Sequence, residues 1–180
     1  MQGIEQNLTQ YAAYHRDRRN ILTHFVGVPM IMFALIVALA AVSFDLGSVH
    51  VTAAAIFSIT VGIYYLVLDR ALGLAMAVVL FLMCAGASEL TARLDTGPAL
   101  GWAAFVFVAG WVLQFLGHKW EGLKPAFFDD AKQLLIGPLF VCAEVFFMLG
   151  AKPGLRRYIE DRVGPTVARR DGRALPLSDA

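Results

Sequence analysis

Three of the chain's four histidines stand where a metal site could be built. His15 and His24 lie in the stretch YHRDRRNILTHFVGVP, residues 14–29, and His118 lies in QFLGHKWEGLKPAFFDD, residues 114–130. Imidazole is the commonest metal ligand near neutral pH, and three neutral imidazoles leave positions open on a first-row transition ion for oxygen and a second ligand. Asn20 precedes His24 by four residues, so on a helix its side chain could orient that imidazole. Gln114, His118 and Glu121 follow at i, i+4 and i+7, which gives one helical face of hydrogen-bonding groups. Ionisable groups beside apolar sequence are expensive and usually face a bundle interior.

The elements that must hold these side chains are membrane helices. Of 180 residues, 58% are hydrophobic and only 16% charged, far from the balance of a soluble domain, and the net charge of +1 excludes the basic surface that nucleic acid requires. Apolar runs at 21–43, 49–68, 71–88 and 99–117 each approach the roughly 20 residues that cross about 30 Å of hydrocarbon as helix. Asp45 with Gly47, Asp69 with Arg70, and the segment from Arg93 to Pro98 mark the turns between them. A fifth run, 134–150, is shorter and carries Gly137, Pro138 and Glu144. Arg16, Arg18 and Arg19 precede the first span, and Lys152, Arg156, Arg157, Arg162, Arg169, Arg170 and Arg173 follow the fifth run. The positive-inside rule places both flanks in the cytoplasm, so four crossings suffice and 134–150 reads as a re-entrant or half-spanning helix.

An even number of crossings returns His118 to the leaflet where His24 begins. His50, at the start of the second span, belongs on the opposite side. Ile4, Leu8, Tyr11 and His15 recur at helical spacing among polar residues, which predicts an interfacial helix that points His15 inward. On one straight helix His15 and His24 would lie about 180° apart. A break near residues 17–20 lets them converge. Blander roles compete throughout: Gln114 and Asn20 also suit interhelical hydrogen bonds, Glu144 suits a buried partner for Arg, Lys or His, and Cys84 and Cys142 sit in apolar runs without CxxC spacing.

Taken together, YHRDRRNILTHFVGVP and GWVLQFLGHKWEGLKPAFFDDAKQLLIGPLFVCAEVFFMLG resemble the 2-hydroxy fatty acid dioxygenase family over about residues 11–150. The motif holds Tyr11, His15, Asn20 and His24 at one end, and Gly117-His118 followed by Pro125-Ala126 at the other. The family comprises small multi-span membrane proteins, typified by the fungal endoplasmic reticulum enzyme of phytosphingosine breakdown. The resemblance implies iron(II)-dependent alpha-oxidation, in which a long-chain 2-hydroxy fatty acid and O2 give an acid one carbon shorter. It carries iron ligation to His15, His24 and His118. Glu121 is a further ligand candidate, although it follows His118 by three residues where the fungal relative is expected to have four. Asn20, Gln114, Asp129 and Glu144 are candidate supports around these ligands. Arg18, Arg19, Lys119 and Lys124 are candidates to hold the substrate carboxylate while the alkyl tail stays in lipid.

The expected architecture is all-α, an integral membrane helical bundle of four transmembrane helices with an N-terminal interfacial helix and the half-spanning helix. Its divisions are 1–20 interfacial helix, 21–150 bundle and 151–180 cytoplasmic tail, disordered in part after about residue 163. The expected home is the inner membrane in a bacterium or the endoplasmic reticulum in a eukaryote, with both termini cytoplasmic. A small transporter or metal-handling protein using the same histidines for cargo is the rival reading.

Overall fold

The chain is described by a computed structural model covering residues 3–167. It is an all-α, membrane-type protein whose described residues form seven helices and one β-hairpin. Helix α1 (Ile4–Ala12) buries Leu8, Tyr11 and Ala12, the face expected from the apolar spacing. The chain breaks over residues 13–17, slightly earlier than expected, and re-enters helix as α2 (Arg18–Ala40). Asp17 starts that helix: its Oδ1 accepts the Arg19 backbone N–H at 2.8 Å, the bond by which an N-cap satisfies a helix's open donors.

Strands β1 (Ser43–Leu46) and β2 (Val49–Thr52) pair antiparallel around a turn in which Gly47 takes φ +65°, a left-handed conformation that favours glycine. This hairpin corrects the expected second span. Val49–Thr52 pair as strand, Thr52 caps the next helix by accepting the Ala55 N–H, and α3 (Ala53–Leu68) is left with 16 residues. At 1.5 Å per residue that is about 24 Å, short of the hydrocarbon thickness. Asp69 ends α3 and caps α4 (Arg70–Arg93) through the N–H groups of Ala71 and Leu72. Gly73 permits this tight return, since a Cβ there would lie 2.5 Å from the Leu66 backbone.

Helix α5 (Thr96–Glu121) is followed by a single 3-10 turn (Ala126–Phe128), then α6 (Gln133–Met148) and α7 (Pro153–Val163). Among the described residues three helices, α2, α4 and α5, are long and apolar enough to cross a membrane, and the α6–α7 pair, bent by 113°, raises the number to four if it is one broken span. The expected four spans therefore become three long helices and one bent pair. Large apolar side chains such as Phe81 (70% exposed) and Phe105 (73%) stand on the outer faces, a surface that lipid tolerates and water does not.

The contacts divide the chain into two units, Met1–Val28 with Val112–Ala180, and Pro29–Trp111. In the first, α1 packs against α6 and α7. The tail returns over the break between α1 and α2, where Val167 bridges Asp17 in parallel fashion. The tail is helical through Val163. The disorder expected further on falls largely on residues 168–180, outside those described.

Candidate metal centre

The break after α1 is what makes the site. His15 leaves the end of α1, His24 sits two turns into α2, and His118 occupies the last turn of α5. All three are buried, and their ligand atoms lie within 4.8 Å of one another. The ring centroids are 4.5 Å apart for His15 and His24, 4.8 Å for His15 and His118, and 5.2 Å for His24 and His118. Tyr11 stacks flat on His15 at 4.1 Å, and Phe140 of α6 closes over both rings. Gly137 admits this arrangement, because a Cβ there would approach the Tyr11 hydroxyl to 2.9 Å.

The hydrogen bonds set the tautomers. His15 Nδ1 lies 2.7 Å from the Tyr11 carbonyl, and His24 Nδ1 lies 2.9 Å from the Asn20 carbonyl. A carbonyl only accepts, so each Nδ1 carries the proton and each Nε2 presents a bare lone pair. Those two Nε2 atoms face each other at 3.1 Å. With no proton between them the contact is repulsive, and a cation held by both lone pairs would relieve it. Burial, reinforced by the neighbouring His24 and His118, holds His15 well below the ordinary imidazole value. It is therefore neutral, the form that a metal requires. The donor set, three buried neutral imidazoles, fits a first-row divalent ion.

Glu121 is held by donors of the break between α1 and α2. Its carboxylate accepts the backbone N–H of Arg16 at 3.1 Å, that of Asp17 at 2.7 Å, and the Asn20 side-chain amide at 3.2 Å. The fully buried carboxylate thus clamps the break between α1 and α2 onto the end of α5, and the three-histidine group forms without it. Asn20 differs from expectation. Its main-chain carbonyl, not its side chain, orients His24, while the side chain joins Glu121 and the Tyr14 carbonyl. Gly117 permits the close approach of α5 to α2, since a Cβ would fall on Thr23 Oγ1 and Asn20 Oδ1.

The remaining candidates separate. Gln114 is buried one turn before His118, and its Nε2 has no hydrogen-bond partner among the described residues. Asp129 is exposed and accepts from the Lys124 ammonium and, at 2.8 Å, from the Tyr14 hydroxyl, and these bonds, Lys124 foremost, hold its carboxyl below the usual range. It fastens the loop after α5 to the break and does not reach the imidazoles through these bonds. Glu144 lies 4.0 Å from the Arg16 guanidinium, the buried-partner role. Arg19 is committed to Asp17 at 2.7 Å and Lys124 to Asp129, so neither is an open cation. Arg18 and Lys119 are exposed. His50 lies in the hairpin, exposed and bonded to Asp45 at 2.8 Å.

Sequence reasoning missed Arg16 and Asp17 as buried members of the site. Their flanking position in a basic cluster reads as solvated, and the only signal was the invasion of that cluster by His15. Arg16 donates to the carbonyls of Ala12, His15 and Gly164, which ties α1 to the tail.

No solved structure matches this chain. It is 31% identical over 159 residues to the 2-hydroxy-palmitic acid dioxygenase MPO1 of Saccharomyces cerevisiae, an alignment covering 87% of each chain. The family model described as 2-hydroxy-palmitic acid dioxygenase Mpo1-like matches residues 1–149, a range that contains all three clustered histidines. On that match the chain belongs to the Mpo1-like family.

Proposed function

We propose that this protein is an iron(II)-dependent dioxygenase that shortens long-chain 2-hydroxy fatty acids by one carbon at the cytoplasmic face of its membrane. The observation that carries the reading is the buried group of His15, His24 and His118, with two bare Nε2 lone pairs opposed at 3.1 Å. Membership of the Mpo1-like family supplies the reaction class. These three residues would hold the ion. Iron(II), when bound, supplies the redox chemistry with O2 by which the C1–C2 bond is broken.

The protein's own part is placement. The Tyr11 and Asn20 carbonyls fix two imidazoles, Glu121 fixes the segment that bears His15, and the Tyr11 and Phe140 rings shield one side of the cluster from water. Arg18 and Lys119 are the exposed cations available to a substrate carboxylate, and the alkyl tail remains in lipid. Gln114 offers a buried amide donor one turn deeper. In this reading α1 lies at the interface, and residues 151–180 stay cytoplasmic.

Given an even-chain 2-hydroxy acid, iron(II) and O2, the purified protein should release the odd-chain acid one carbon shorter, and labelled O2 should enter the product. The same acid without its 2-hydroxyl should react at least about 100-fold more slowly, because one anchoring group less forfeits the orientation on which rate depends. Mass spectrometry of the products decides it. Equal shortening of both acids, or products free of label, overturns the reading and favours cargo binding. Reporter fusions at each terminus should both report the cytoplasm, as the arginine-rich flanks demand. An exported C-terminus would make α6 a full crossing and overturn the orientation.

A further inference from the structure

A half-open cavity of about 270 Å³, with no imidazole in its lining, lies at the N-terminal end of α2. Its apolar wall is built by Leu22 and Phe25 of α2 with Phe147 and Met148 of α6. Its polar end carries Arg16, Arg18 and Arg156 against Glu144 and Glu160. The two carboxylates are already answered: Glu160 accepts from Arg156 Nε at 2.8 Å, and Glu144 lies 4.0 Å from Arg16. Arg18 is exposed and makes no ion pair among the described residues, so one positive charge at the rim is left over.

We propose that this cavity is a capture site for a single-chain, long-chain carboxylate. The head sits on the Arg18 guanidinium, whose paired N–H groups match a carboxylate's two oxygens. The upper chain runs along Leu22, Phe25 and Met148. Leu22 is 53% and Met148 76% exposed, so the apolar wall continues outward to surface that lipid would cover. At about 270 Å³ the cavity has room for a carboxylate head and the first part of its chain, and a free carboxylate on a guanidinium carries a single chain. Arg18 is three residues from His15, which places a captured acid beside the segment that bears the metal ligand. The proposal rests on the proposed activity only for the identity of the acid, a 2-hydroxy fatty acid drawn from the membrane.

The test is binding of 2-hydroxyhexadecanoic acid to the metal-free full chain in nonionic detergent, followed by equilibrium dialysis. Arg18→Gln should weaken binding at least about tenfold, the scale of one lost charge-assisted contact. Leu22→Trp, which fills the cavity from a half-exposed position, should do the same without touching a charge. Hexadecanol should bind wild type and Arg18→Gln alike. Wild-type affinity in both variants overturns the proposal. So does displacement of the acid by a two-chain phosphatidylglycerol with the same dependence on Arg18, which would assign the site to bulk anionic lipid. Because binding is read without metal, the two ideas fail separately: Arg18-dependent binding without turnover removes the activity and keeps the capture site, and turnover without such binding does the reverse.

Discussion

Replacing His24 by alanine should strip the protein of iron and lower turnover of a 2-hydroxy fatty acid by at least about three orders of magnitude. An ion that stabilises developing charge by several kcal/mol accounts for that many decades at about 1.36 kcal/mol each. His15→Ala and His118→Ala should behave alike, because the three ligand atoms form one group within 4.8 Å and two imidazoles hold a divalent ion far less well than three. His50→Ala should keep both iron and activity, since its exposed ring in the hairpin engages only Asp45 among the described contacts. Metal analysis of anaerobically purified variants, alongside thermal melts, separates loss of a ligand from loss of the fold. The apolar helices do not depend on these rings, so the melting curves should stay near wild type when all samples are metal-free. Equal iron in all four variants would falsify the assignment.

The second large effect is expected at Glu121. Glu121→Ala removes the acceptor shared by the Arg16 and Asp17 backbone N–H groups and the Asn20 amide, all at buried positions. A buried donor left without a partner costs about 1–3 kcal/mol, so three such donors set the loss of stability at about 3–9 kcal/mol. The segment freed is the one that carries His15. Metal affinity should therefore fall by about 10- to 100-fold, the range seen when a group supporting a ligand is lost. Glu121→Gln keeps one acceptor oxygen and sheds the charge, and it should fall between wild type and alanine in both measurements. Thermal midpoints and metal titration provide the readouts. Were Glu121→Ala as stable as wild type, the clamp would not be what holds the break in place. Loss of metal from Glu121→Gln as complete as from His24→Ala would instead return Glu121 to the ligand set.

Much of the frame was legible from local pattern. Apolar runs of membrane length are a property of the sequence itself, and α2, α4 and α5 follow from them because backbone groups in lipid must bond within their own helix. Residue type and position at the edges of apolar runs singled out His15, His24 and His118, and the fold brings them within one ion's reach, whereas the even count of crossings used to align them lost its second span to the hairpin. The spacing of Ile4, Leu8 and Tyr11 announced the buried face of α1.

Other features depended on partners distant in the chain. Val49–Thr52 read as membrane helix by composition and became strand only because residues 43–46 were available to pair with them across Gly47. Asn20 stood at the right spacing to orient His24, yet which of its atoms does so was settled by Glu121, 101 residues away, which draws off the side-chain amide and leaves the carbonyl to the imidazole. Glu121 itself shares a helical face with His118. The face is a matter of periodicity, but whether its carboxylate meets a metal or three N–H groups depends on where the chain breaks after α1. Arg16 looked solvated because its neighbours in sequence are charged, and it is buried because α1, the tail and Glu144 close around it. Periodicity fixes the side of a helix on which a group lies, whereas its hydrogen-bond partners are chosen by segments that only the folded chain brings near.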